Sequence, residues 1–315
     1  MNAVTKLRYD AVAATAMGGR DRQEDAVVTD FPIGTDYGFA VLADGMGGHA
    51  SGNLASNIVV TEMFSELKMQ ANDPSSMERD INATLHAAVA DANACIKYVS
   101  RCSPRQELMG TTVVAPVLFE DRLYWISIGD SPLWHFRDGN LVRLNEDHSM
   151  APEIDRMLEQ GLMDADTARS HPDRECLTSV LMGGEIARID YSEAPVHVRP
   201  GDIILAASDG LEFLDDARIA AVLNAHGSTS GAEISSALLD EISSLDDPDQ
   251  DNVAFCLVRV LSAGTAPAFS ETVEELKTIP GSDASVDEVA NALTVVSRKK
   301  GNGSHVICIS KKVSM

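Results

Sequence analysis

A layered α+β domain built on antiparallel sheets is the fold class that this sequence predicts, and three observations predict it. Short apolar segments recur between Gly, Asp and Pro residues, two long helical patterns follow one another with no strand between them, and Asp138-Gly139-Asn140 is a tight-turn signal between two apolar runs. Residues 27–30, 39–43, 112–118, 123–128, 202–207 and 253–260 are rich in apolar or β-branched side chains and read as strands. Residues 50–68 and 76–99 carry apolar residues at helical spacing, 151–162 does so more briefly, and 219–223 and 234–242 are shorter still. The turn at 138–140 joins residues 133–136 to 141–144 as a hairpin. Regular βαβ alternation is absent, which disfavours a doubly wound parallel sheet.

The expected domain covers residues 8–261. Beyond it, residues 263–280 are rich in Ala, Thr, Ser, Pro and Glu and read as a linker, leaving 262–315 as a linker and C-terminal extension of unassigned role. Within that extension, residues 286–296 suggest a helix and 306–310 a strand.

A chain of 315 residues can bury a full core without staples. The five cysteines are odd in number, widely spaced and lack a Cys-x-x-Cys pair, which argues against a disulfide framework or a zinc ribbon and for a reducing, cytoplasmic setting. No apolar run is long enough to span a bilayer, so a soluble protein is expected. The formal net charge of -23 repels nucleic acid and anionic membranes and excludes both as partners. Residues 261–315 hold six acidic and six basic side chains, so the whole imbalance lies before them. A solubilising surface is the ordinary reason for such charge; cation binding and attraction to basic substrate segments are the sharper one.

The chemistry is concentrated at strand ends. The apolar run 39–43 delivers Asp44, followed by Gly45-Met46-Gly47-Gly48-His49; the run 202–208 delivers Asp209-Gly210; 124–128 leads into Gly129-Asp130-Ser131; and Asp251-Asn252 opens the last strand. One such Asp is more often a turn or cap residue, but four in one chain form a pattern. Near the start, Arg20-Asp21-Arg22-Gln23-Glu24-Asp25 adds further carboxylates and an arginine. Oxygen-only ligands suit hard cations such as Mg2+ or Mn2+ better than zinc. Two such ions can share a bridging water, lower its pKa and clamp a phosphate during in-line attack.

In order, Arg20-x-x-Gln23-Glu24-Asp25, Ala43-Asp44-Gly45-x-Gly47-Gly48-His49, Gly110-Thr111-Thr112, Gly129-Asp130-Ser131, Ser208-Asp209-Gly210 and Asp251-Asn252 together resemble the signature of the protein phosphatase 2C family, metal-dependent serine/threonine phosphatases. That resemblance covers residues 8–260. It implies a sandwich of two antiparallel sheets with helices on both outer faces, and two Mn2+ or Mg2+ ions bridged by Asp44. Asp209 and Asp251 would complete one ion's protein ligands, and Glu24 or Asp25 with the Gly45 carbonyl the other's. Arg20 would bind the substrate phosphate, and Asp130 would join Asp209 around a third, weaker ion or else cap its turn. His49 is a candidate general acid, or a structural His of a Gly-rich turn. The stretch 147–178 resembles the family's flap, in which His171 touches substrate or is an exposed loop residue without a role. Gln23 stands where the family has Asn. The partners implied are phosphorylated proteins, among them a serine/threonine kinase and its targets, with the chain a monomer.

Two other readings compete. Gly45-x-Gly47-x-x-Ala50 between a strand and a helix also fits a dinucleotide-binding fingerprint, with Glu62 or Glu66 near the ribose position, but leaves the other strand-end aspartates unexplained. A catalytically dead relative that only binds a partner would lack a metal carboxylate, and none is missing. Asp247-x-Asp249-x-Asp251 fails as a calcium loop, because its sixth position is Asn252 and its twelfth Val258.

Overall fold

Strands that are apolar at every position have to be covered on both faces. Residues 39–43 and 113–119 are of this kind and are buried throughout. The computed structural model describes residues 7–32, 35–47, 51–102, 109–262, 293–299 and 305–311.

The chain begins with β1 (Leu7–Ala16), β2 (Ala26–Asp30), β3 (Tyr37–Ala43) and the short β4 (Gly45–Met46), then α1 (Ser51–Gln70), α2 (Pro74–Arg79) and α3 (Ile81–Cys102). Next come β5 (Gly110–Thr111), β6 (Val113–Phe119), β7 (Arg122–Ile128), β8 (Leu133–Arg137) and β9 (Asn140–Arg143). The flap holds α4 (Ala151–Glu159) and α5 (Ala165–Arg169), and leads to β10 (Asp190–Tyr191), β11 (Val196–His197) and β12 (Ile203–Ala207). A 3-10 turn over Asp209–Phe213, α6 (Asp216–His226), α7 (Gly231–Ser243) and β13 (Val253–Ser262) follow, and β14 (Leu293–Lys299) pairs with β15 (His305–Lys311).

One sheet runs β1-β13-β12-β8-β9 and the other β10-β7-β6-β3-β2, with β11 also on β7; every pairing is antiparallel. The period of two along each strand sorts its side chains into layers. On β3, Ala40 and Leu42 face the centre with Val114, Leu118, Ile204, Ala206, Cys256 and Val258 from both sheets. Its alternate residues Phe39, Val41 and Ala43 pack outward on Val59, Met63, Leu67, Leu85 and Ile96 of α1 and α3. Across the sandwich, Leu205, Phe255 and Leu257 pack outward on Ile219, Leu223, Ile234 and Leu238 of α6 and α7. The architecture is therefore the α-β-β-α sandwich expected. Antiparallel pairing removes the dinucleotide reading, which requires a parallel βαβ unit.

Three expectations are corrected. β1 is a ten-residue strand spanning the whole length of β13, although Leu-Arg-Tyr-Asp-Ala-Val-Ala-Ala-Thr-Ala gives little strand signal because Ala and Asp are poor strand formers. The helix expected over 76–99 is two helices, parted where Asp80 leaves helical geometry; Asp73 caps the first by accepting the Ser76 N–H at 3.1 Å. The helix expected over 286–296 is wrong at its C-terminal end, where Leu293–Lys299 is a strand whose Thr294, Val295 and Val296 are β-branched. Its first part lies outside the described residues.

The β1-β13-β12-β8-β9 sheet is tied at its rim by Asp202, whose side chain is 1% exposed. Arg137 Nε and Nη2 donate to its two oxygens at 2.8 and 2.5 Å, and the Arg199 N–H donates at 2.9 Å. Burial opposes its ionisation, but the Arg137 hydrogen bonds, His135 Nε2 at 3.0 Å and the Arg199 N–H together outweigh that and hold the carboxyl well below the usual carboxylate range. A folded-state pKa below the unfolded value stabilises at neutral pH and loses that contribution as pH falls. Asp202→Asn should therefore cost roughly 3 kcal/mol at pH 7 and flatten the loss of stability below about pH 4, both read by denaturant titration. Equal acid sensitivity in mutant and wild type would contradict this.

Candidate active site

The strand ends that carry Asp25, Asp44 and Asp130 belong to one sheet, and those that carry Asp209 and Asp251 to the other, so the two edges of the sandwich mouth each present carboxylates. Asp44 is fixed through its backbone. Its N–H donates to Thr112 Oγ1 at 3.0 Å, and its carbonyl accepts from the Thr112 N–H at 2.9 Å and from Thr111 Oγ1 at 2.6 Å. Asp25 accepts from Ser208 Oγ at 2.7 Å, and that hydroxyl in turn accepts the Ala254 N–H, which links the first loop to the opposite sheet. Asn252 joins the same loop to β13: its amide donates to the Met17 and Arg22 carbonyls, and its oxygen accepts the Glu24 N–H, all at 2.8 Å.

Just after β3, Gly45 has no room for a side chain. A Cβ there would lie 2.2 Å from the Gly52 carbonyl oxygen and 2.5 Å from that of Glu24, and a Cβ on Gly52 would meet the Gly45 oxygen at 2.6 Å and the Glu24 carboxyl carbon at 2.9 Å. The Gly45 carbonyl and the Glu24 carboxyl thus both lie close to Gly52, at the start of α1.

Electrostatically the cluster is overloaded. Burial pushes the Asp25 carboxyl up to about 7, and Asp209 and Asp251 push the same way. Asp44 is raised well above the usual range by burial, with Asp25, Asp209 and Asp130 adding to it. Burial takes Asp130 to about 7 as well, with Asp209 and Asp147 contributing, and raises Asp209 next to Asp251. Arg20 Nη2 pairs with Asp251 Oδ2 at 2.7 Å, well exposed. Arg143 gives its Nη2 to the Asp130 carbonyl and lies 3.4 Å from Glu212. Among the described residues no three acidic, His or Cys side chains close into a cage. The donor set is an open one of oxygens, and it fits a hard divalent cation whose shell is completed by water.

The remaining predicted residues are placed as follows. Gln23 uses both ends of its longer amide, donating to the Ala16 carbonyl and accepting the Asp25 N–H, each at 3.0 Å. His171 sits in the flap after α5, where its Nδ1 accepts the Asp173 N–H at 3.2 Å; Glu175, also in the flap, adds to the negative field on Asp209. His49 lies outside the described residues. Sequence reasoning assigned no role to Ser208, Thr112 or Asn252, although all three sit in the motifs, and it missed Glu212, Arg143 and Asp147. Glu212 is raised to about 7 by burial, with Arg143 opposing.

The family model described as Protein phosphatase 2C matches residues 20–242, and the chain belongs to that family. The serine/threonine protein phosphatase PstP of Mycobacterium tuberculosis is 34% identical over 171 residues, which cover 54% of this chain and 31% of PstP, so the match spans about a third of that relative. A crystal structure of M. tuberculosis PstP superposes with a TM-score of 0.66 at 30% identity, covering 82% of this chain and 99% of that one. The PstP catalytic domain solved with two manganese ions gives 0.64 at 28% identity, with 82% and 99% covered.

Because the buried carboxyls hold their protons more tightly when folded, the protein without divalent cations should lose stability as pH rises from about 4 toward about 7. Melting temperature in chelator should fall between those values, with a shallower slope in Asp25→Asn. A melting temperature that rises equally in both proteins would refute the shared-charge account.

Proposed function

We propose that this protein hydrolyses phosphoserine and phosphothreonine in other proteins with the help of two divalent cations, Mn2+ or Mg2+. The observation that carries the reading is the set of buried carboxyls at the strand ends, raised by burial and by one another. Asp44, Asp209 and Asp251 are the anionic ligands we propose, with Glu24 or Asp25 and the Gly45 carbonyl completing the pair of sites. Bound there, the cations supply the positive charge that activates a water and neutralises phosphate oxygens.

The chain's own residues do the rest. Thr111 and Thr112 hold the Asp44 backbone in one orientation, and Ser208 does the same for the Asp25 carboxyl. Arg20 presents a guanidinium fork whose exposed pair with Asp251 is worth no more than about 1 kcal/mol. A phosphate can therefore take it over, and two parallel N–H bonds to its oxygens suit that fork. His49 is the residue we propose to protonate the leaving alkoxide, and Asp130 joins Asp209 around a third, weaker site.

A basic peptide bearing the phosphoresidue is drawn toward a chain of net charge -23. A serine/threonine kinase whose activation loop carries phosphothreonine is a substrate of the same class. Action as a monomer belongs to the same proposal. No described helix is long and apolar enough to cross a membrane, and Cys95, Cys102, Cys176 and Cys256 are free thiols, which supports a reducing compartment.

Phosphothreonine peptide hydrolysis should require Mn2+ or Mg2+, stop in EDTA and exceed phosphotyrosine hydrolysis. Asp44→Asn and Asp209→Asn should each reduce kcat by about 100-fold or more with the fold intact by circular dichroism. Near-wild-type rates in either variant at saturating metal would show the ligands to be wrongly assigned. Arg20→Ala should mainly raise KM and weaken inhibition by free phosphate, since it removes ground-state binding; a fall in kcat at unchanged KM would move Arg20 into transition-state stabilisation.

A further inference from the structure

At the neck of the flap, His148 has a fully buried side chain that the reading above does not use. Its Nδ1 accepts the Gly129 N–H at 3.2 Å, and its own N–H donates to the Gly129 carbonyl at 3.0 Å. One residue thereby takes both backbone groups of Gly129. Its carbonyl accepts from the Thr178 N–H at 2.7 Å and from Thr178 Oγ1 at 2.8 Å. Next to it, Ser149 bridges to Leu177, and the Met150 N–H donates to the Cys176 carbonyl at 2.9 Å. The two ends of the flap are laced to each other through His148, and through Gly129 to the turn that carries Asp130.

Gly129 is itself held from behind. It adopts a φ of +104°, where a Cβ would fall 2.6 Å from Thr112 Cβ, and Thr112 in turn bonds Ser131 Oγ at 2.7 Å and holds the Asp44 N–H. A shift of Gly129 therefore reaches Asp130 directly and Asp44 through Thr112.

The chemistry of the ring is specific. Accepting at Nδ1 puts the imidazole proton on Nε2, and Nε2 is buried without a hydrogen-bond partner, 3.9 Å from Glu146 Oε2. A leucine would fill this space without burying an unpaired N–H, so packing alone does not account for an imidazole here. The Nδ1 acceptor is what leucine lacks. Burial, with Arg188 next, keeps the ring neutral and preserves that acceptor; Glu146, Asp147 and Asp190 act the other way.

We infer that His148 is a positioning residue that clamps the neck of the flap to the Gly129-Asp130 turn, so that the flap and the Asp130 carboxyl move as one unit. Its effect on catalysis rests on the phosphatase reading; the clamp itself does not. Two variants separate the acceptor from the bulk: His148→Asn keeps an oxygen where Nδ1 stands, and His148→Leu replaces it with a methyl. His148→Leu should raise the Mn2+ concentration for half-maximal activation about ten-fold and speed protease cleavage within residues 151–176, with the rest of the chain still folded by near-ultraviolet circular dichroism. His148→Asn should stay close to wild type on both measures.

Equal behaviour of the two variants, or no change in either, would overturn the clamp. Should His148→Leu fail to fold, Thr178→Val, which removes one bond to the His148 carbonyl, should loosen the flap to protease in the same direction, and unchanged cleavage would count against the clamp. In the wild-type protein, nitrogen-15 spectra should show the Nε2–H tautomer, and a proton on Nδ1 would overturn the proposal outright. If wild type shows no metal-dependent hydrolysis, the phosphatase reading fails, while the tautomer and the proteolysis still decide the clamp.

Discussion

Mutual repulsion among buried carboxyls at the mouth of the sandwich is the constraint on which the rest of this structure turns. Isolated in a dry interior, each ionised carboxylate costs several kcal/mol, and here Asp25, Asp44, Asp130 and Asp209 act on one another. A protein that needed only stability would replace them with apolar residues or pair them with Arg. Elsewhere this chain does pair them: Asp202 is bound by Arg137, and Asp10 by Arg259. The contrast shows that the mouth is not a general tolerance for buried acid. Its energetic cost is relieved either by protons the carboxyls retain toward neutral pH or by a ligand of opposite charge.

Holding such groups together demands a rigid frame, and the three cores provide it. Both sheets are sealed by helices outside and by one another inside, so the strand ends have little freedom to splay. Backbone bonds then aim the carboxylates. Thr112 is central: it fixes Asp44, touches Ser131 and supports Gly129, so three of the motifs converge on one hydroxyl-bearing side chain.

The layers and most of the carboxylates were legible in the sequence because continuous apolar strands announce themselves and because each delivers Asp at its end. β1 was not, since its alanines carry little local preference and its place is set by pairing with β13, over two hundred residues away. The break between α2 and α3 was hidden because apolar spacing continues across Asp80. Around the site, the missed residues share one property, that they acquire meaning only through tertiary contacts: Arg143 meets the Asp130 carbonyl and Glu212, Asp147 acts on Asp130, and His148 bonds Gly129. No spacing rule encodes that proximity. Arg20 was found by motif, but its pairing with Asp251, far along the chain, is a tertiary fact.

The distribution of the ligands between the two sheets has a mechanical meaning. Asp44 ends a strand of one sheet, Asp209 and Asp251 flank strands of the other, and the sheets are otherwise joined at this mouth by side-chain packing and a few hydrogen bonds such as that of Ser208 to Asp25. On the proposed reading, a cation bridging Asp44 to Asp209 is a rivet through both layers. Van der Waals packing lets two sheets slide over one another under shear, whereas a bridge of ionic bonds resists sliding until it ruptures. The protein would then be stiff when charged with metal and compliant when stripped of it, and its resistance to force would report occupancy as directly as the proposed turnover would.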